Sequence, residues 1–196
     1  ALAILVLIVT GFYIGRPYFM TTGAPPQYLM GYIRLIHYVA AGVFVMTGLV
    51  RVYWLFAGNQ FERLPALFPV RKRDWVNLVT QVKYYLMIHP ERAPHYIGHN
   101  PLQQLSYTTT YVVSIVVMLT GFAMYGQAEP GGFFYTITQP LTLAVGGIQV
   151  VRLVHHLCVW WFIIFPIMHI YLVIRKEVTE RGGGLSGIVN GGHYIR

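Results

Sequence analysis

The chain has 196 residues, 56% of them hydrophobic and only 10% charged, with a mean hydropathy of +0.54. A soluble domain of this size needs far more polar surface, so the composition excludes a water-soluble globule and places the chain in a bilayer. The formal net charge is +8, but in a membrane protein the placement of cations reports topology, and no phosphate-tracking stripe supports nucleic-acid binding.

The first apolar run ends at Ile14 or Gly15. It is shorter than the roughly 20 residues that cross a hydrocarbon core. It has no charged region before it and no small-x-small cleavage pattern after it, so it does not read as a signal peptide. The expectation is a helix over residues 1–15 that is truncated at its N-terminus, its first third and any ligand on it preceding Ala1. Arg16-Pro17 to Pro25-Pro26 is a Pro- and Gly-marked loop.

The second span, about 31–57, carries Arg34, His37 and Arg51. A long connection follows, holding Arg63, Arg71, Lys72, Arg73, Lys83 and Arg92. Within it, Asp74 to Met87 reads as an amphipathic interfacial helix with Trp75 and Tyr84 as anchors. The connection ends in Gly98-His99-Asn100-Pro101, an Asn-Pro start for a third span at about 104–126. Gln127 to Ile148 contains no Lys or Arg and reads as a loop. The fourth span, about 149–174, carries His155, His156, Cys158 and His169, and is followed by Arg175, Lys176, Arg181 and a Gly-rich tail.

The expected fold is therefore all-α: a single domain over 1–196, an integral membrane four-helix bundle with an amphipathic helix between its second and third spans. Each complete span is long enough to cross with some tilt. By the positive-inside rule the basic connection and tail are cytoplasmic, so both termini are too. Thr10-Gly11-Phe12 near the end of span one and Thr120-Gly121-Phe122 near the end of span three echo one another at the outer face.

The one cysteine, Cys158, leaves no intramolecular disulfide, Cys-based zinc site or thiolate-bound iron-sulfur cluster. Electron transfer would then need haem, and the histidines fit it. Fourteen helical steps bring a side chain back within about 40° of its starting direction, about 21 Å further along the axis, so His155 and His169 share a face at two depths. His37 lies at the depth of His155, and the two are read as axial ligands on one outer haem iron. His169 is read as a ligand of an inner haem. The alternative is a set of buried histidines bonded to carbonyls or to each other. His156 is turned roughly 140° from His169 and is assigned a supporting place. Arg34 and Arg51 are candidate partners for the outer and inner haem propionates, Arg34 being equally consistent with a snorkelling interfacial cation. Arg152 carries the same ambiguity. Gly42 and Gly48 are read as packing glycines. His99 is a candidate for proton delivery or a quinone carbonyl, set against a purely structural place in the loop. His89, His95 and His193 read as surface.

Met30-Gly31-Tyr32-Ile33-Arg34-Leu35-Ile36-His37, Arg51-Val52-Tyr53-Trp54, Gly98-His99-Asn100-Pro101, Thr120 to Tyr125 and His169-Ile170-Tyr171 together resemble the cytochrome b subunit of membrane-bound respiratory nickel-iron hydrogenases. The likeness runs from about Thr10 to the Val189-Asn190-Gly191 tail. It implies four transmembrane helices and two b-type haems, with His37, His155 and His169 at ligand positions and the remaining ligand just before Ala1. It also implies association with an iron-sulfur small subunit, and through it with the large nickel-iron subunit. Electrons would enter at the outer haem and leave to quinone at the inner side, hydrogen being activated on another chain. Arg152 departs from relatives that carry a histidine there. The rivals are the cytochrome b subunit of a formate dehydrogenase or related reductase, and a haem-free membrane anchor.

Overall fold

A computed structural model describes residues 1–19, 28–58, 63, 72–86, 88 and 100–180. Among them are six helices: α1 (Leu2–Gly15), α2 (Leu29–Ala57), α3 (Lys72–Tyr85), α4 (Pro101–Gly126), α5 (Phe133–Ala144) and α6 (Ile148–Glu180), with no strand among the described residues. Three of them, α2, α4 and α6 through Arg175, are long and apolar enough to cross a membrane, and α1 is a shorter apolar helix.

Local chemistry sets the ends. The α1 helix stops where Arg16 turns extended (φ −148°, ψ 93°), the conformation that a following proline imposes. At the start of α4, Asn100 accepts from the Gln103 backbone N–H at 2.8 Å while its own N–H donates to Gln103 Oε1 at 3.0 Å, a reciprocal cap with Pro101 behind it. The Asn-Pro start is thus found, three residues ahead of the expected boundary. The α3 helix covers Lys72–Tyr85 where Asp74 to Met87 was expected, and α6 runs on to Glu180 rather than ending near 174.

One expectation is corrected. The connection between the last two spans is not simply a loop, because it folds into α5, which packs on α4. Positive-φ glycines frame it, Gly131 (86°) before it and Gly146 and Gly147 (103° and 95°) after it, values that residues with a Cβ rarely adopt. Gly126 lets α5 approach, since a Cβ there would sit 2.7 Å from the Tyr135 backbone nitrogen. Phe134 then stacks on Phe122 with centroids 5.2 Å apart.

Two helix pairs form the body: α1 packs on α2, and α4 packs on α6, with a narrower contact between α2 and α4 joining them. Large apolar side chains cover the outside, Leu35, Val39, Val43 and Met46 of α2 and Leu153, Leu157, Ile164 and Ile167 of α6 among them. Lipid makes that outward apolar face favourable and leaves intrahelical bonds to satisfy the backbone. The hydroxyls follow suit: Thr47, Ser106, Thr109, Thr110 and Ser114 each donate to the carbonyl four residues back. The α3 helix lies against α4, and Arg175 of α6 donates to the carbonyls of Tyr84 and Tyr85, satisfying orphan acceptors at its C-terminus.

Candidate functional site

His37 lies on α2, eight residues past its start, and His155 lies on α6, seven residues past its start. Both rings are half-buried. Each is gripped by the partner helix of its own pair. Thr10 Oγ1 of α1 lies 2.8 Å from His37 Nδ1, and Thr120 Oγ1 of α4 lies 3.0 Å from His155 Nδ1. The residue after each threonine is a glycine whose missing Cβ would meet the ring carbon Cε1, at 3.4 Å for Gly11 and 3.5 Å for Gly121. The repeated Thr-Gly-Phe tripeptide is thus a repeated histidine holder.

The correspondence extends inward. Phe44 and Phe162 stand seven residues beyond His37 and His155, a step that returns a helical side chain to within about 20° of its direction and about 10 Å deeper. Their rings meet edge to face at 5.9 Å, so α2 and α6 touch below the histidines. Nearer the imidazoles, Tyr38 meets Tyr125 at 5.2 Å and Phe12 meets Trp160 at 6.0 Å. Aromatic contacts therefore accompany the imidazole level.

His156 does not join it. Its Nδ1 donates to the Arg152 carbonyl of its own helix at 2.7 Å, and its Nε2 faces Gly15, where a Cβ would lie 3.0 Å away. Arg34 and Arg152 are exposed. Arg51 is tied to α4: its Nε donates to Tyr111 Oη at 2.6 Å and its guanidinium lies over that ring. His169 is exposed and stacks on Phe165, centroids 5.8 Å apart and planes 26° from parallel, while Phe165 stacks in turn on Trp161. The structure thus brings His37 and His155 to one level, and leaves His169 on another with its own helix for company. His99, His89, His95 and His193 lie outside the described residues.

Sequence reasoning missed the two threonines as partners of the histidines. The signal was present as the tripeptide echo, which as a pattern alone marks depth and not contact. It also missed Tyr111 as the partner of Arg51.

The donor set suits an iron porphyrin. Two imidazoles, each anchored through Nδ1 by a threonine of a neighbouring helix, keep Nε2 for a ligand, and neutral imidazole is a usual axial donor to haem iron. Among the described residues no group of three or more His, Cys, Asp or Glu is placed to hold a bare metal ion.

The profile of a family described as prokaryotic cytochrome b561 matches residues 1–191. A probable Ni/Fe-hydrogenase B-type cytochrome subunit of Cupriavidus necator is 38% identical over 195 residues, covering 97% of this chain and 80% of its own length. The corresponding protein of Azotobacter chroococcum is 41% identical over 199 residues, covering 97% and 81%. A probable Ni/Fe-hydrogenase 1 B-type cytochrome subunit of Escherichia coli K12 is 34% identical over 199 residues, covering 97% and 83%.

Proposed function

The chain belongs to the prokaryotic cytochrome b561 family, and from that premise we propose that it is the electron-transferring membrane subunit of a nickel-iron hydrogenase. It is an integral membrane protein in this reading, set in a bacterial inner membrane with both termini and α3 on the cytoplasmic side. One observation carries the assignment of residues: two imidazoles from different helix pairs share a level, each oriented by a threonine of its neighbouring helix.

His37 and His155 would hold an outer b-type haem, and His169 contributes to an inner one about 21 Å deeper. When bound, b-type haem supplies reversible one-electron storage. Everything else is the chain's work: spacing, orientation and exclusion of water. Arg34 stands one turn before His37 and would meet the propionates of the outer haem, and Arg51, fourteen residues beyond His37 with its charge directed by Tyr111, would meet those of the inner one.

The iron-sulfur small subunit, linked to the nickel-iron large subunit, would dock at the outer face. Quinone would be reduced at the inner end, where the side-chain carbonyl oxygens of Gln81 on α3 and Gln104 on α4 are buried without a hydrogen-bond partner among the described residues. These are acceptors suited to a quinol hydroxyl. His99 belongs to the same end by sequence.

Pyridine-haemochrome quantification and reduced-minus-oxidised spectra of the purified complex test the reading, with wild type compared against His155→Ala. Two haems b per subunit and loss of one with the variant are expected. A haem content of zero, or a spectrum untouched by the substitution, overturns it.

A further inference from the structure

The two threonines have only one proton each to give. Thr10 Oγ1 lies 2.6 Å from the Val6 carbonyl and 3.4 Å from that of Leu7, and Thr120 Oγ1 lies 2.7 Å from the Val116 carbonyl and 3.1 Å from that of Val117. Carbonyl oxygens only accept, so each hydroxyl proton is directed to its own helix. The threonine oxygen is then left as an acceptor toward the ring nitrogen at 2.8 or 3.0 Å. That nitrogen must carry the hydrogen. Both histidines are thereby fixed as Nδ1–H tautomers with the Nε2 lone pair unprotonated and facing away from the threonine.

We propose that Thr10 and Thr120 are twin positioning residues that select the ligating tautomer of His37 and His155 and set the reduction potential of the iron these rings share. The inference rests on the haem assignment above and adds to it a mechanism of tuning. A hydrogen bond accepted from Nδ1–H makes imidazole a stronger donor at Nε2. A stronger donor favours the more highly charged, oxidised iron, so removing the acceptor shifts the equilibrium toward the reduced form. The acceptor here is a neutral hydroxyl whose own proton is engaged by a backbone carbonyl, so it supports the ring without drawing the Nδ1 proton away as a carboxylate would. Each ring receives the same treatment from a different helix, so the two contributions act on one iron and should add.

The test is a spectroelectrochemical redox titration of the whole hydrogenase–cytochrome complex carrying Thr10→Val, Thr120→Val, the double variant, and Thr10→Ser and Thr120→Ser. Valine keeps the shape and removes the acceptor, while serine keeps the acceptor. Each valine variant is expected to shift the one-electron equilibrium of the outer component about tenfold toward reduction, a rise of about 59 mV. The double variant is expected to shift it about a hundredfold, the serine variants to restore the wild-type value, and the other component to stay in place. Unchanged potentials in the valine variants with haem retained overturn the proposal. So does haem loss in a valine variant that serine fails to rescue, since the hydroxyl would not be the feature that matters. Failure of the haem assignment itself shows separately, as His155→Ala leaving both components intact.

Discussion

The level of His37 and His155 and the level of His169 differ in how many helices determine where a ring points. At the first, four helices take part: α2 and α6 carry the imidazoles, while α1 and α4 supply a hydroxyl to Nδ1 and a glycine against Cε1. At the second, the described neighbour of the ring is Phe165, one turn back on the same helix. A ring held from another helix keeps its direction only while the two helices keep their register. A ring held by its own helix is insensitive to register and easier to reorient. The outer level is therefore preorganised by packing, and the inner level is organised by α6 alone among the described residues.

The most severe way to break this comparison is to remove a ring. With the two imidazoles as the proposed axial pair, His155→Ala, or His37→Ala, should abolish one spectral component in full. His169→Ala should remove the other component and leave the first at its wild-type potential. Difference spectra of the purified complex distinguish the outcomes, and loss of both components from any one substitution would mean that the two levels are not separate sites.

A smaller disturbance tests whether packing holds the outer level. In Gly126→Ala the new methyl would meet the Tyr135 nitrogen at 2.7 Å and the backbone of Phe134 and Tyr135 at 3.0 Å, atoms that yield only if α5 moves. A cost of about 1–3 kcal/mol is expected from such overpacking. It should appear as a lower thermal midpoint of the complex in detergent. Phe134 stacks on Phe122, next to Gly121, so the displacement should broaden or shift the outer component. The His169 component should not change.

Conversely, Phe165→Leu removes the stacked neighbour of His169 and touches nothing described at the outer level. About 1 kcal/mol is at stake in an aromatic pair of this kind. The expected result is a modest shift of the inner component in a redox titration, with the outer component fixed. A shift in both would show that the Trp161, Phe165 and His169 stack couples the two depths.

How much of this was legible in the sequence depends on which physical signal each feature leaves. The long helices were, because some twenty apolar residues in succession have few other uses. That His155 and His156 point different ways was legible too, since helical rotation alone separates their directions by about 100° per residue, and the structure turns His156 back onto the Arg152 carbonyl. The start of α4 was marked by Asn100-Pro101. The α5 helix was not legible, because Glu129-Pro130-Gly131-Gly132 and Pro140 punctuate it like a loop and charge placement says nothing of a segment without Lys or Arg. What makes it helical is tertiary: the close approach at Gly126 and the stack of Phe134. The threonine contacts were half legible. The tripeptide echo showed that positions 10–12 and 120–122 are alike, but a hydrogen bond between helices needs the register of two elements, which no single segment encodes.

The smallest expected effect separates the two halves of that echo. A Cβ at position 11 would lie 3.4 Å from His37 Cε1 and one at 121 would lie 3.5 Å from His155 Cε1, both ordinary van der Waals separations. Gly11→Ala and Gly121→Ala should therefore fill space beside the rings without turning them, and helix propensity favours the change by up to about 1 kcal/mol. Haem content and potential should match wild type within error in a redox titration, while valine at positions 10 or 120 moves the potential. If instead the alanine variants shift the outer component as far as the valine variants do, then the rings are positioned by close approach of the helix backbone. The hydroxyl contacts would be its by-product.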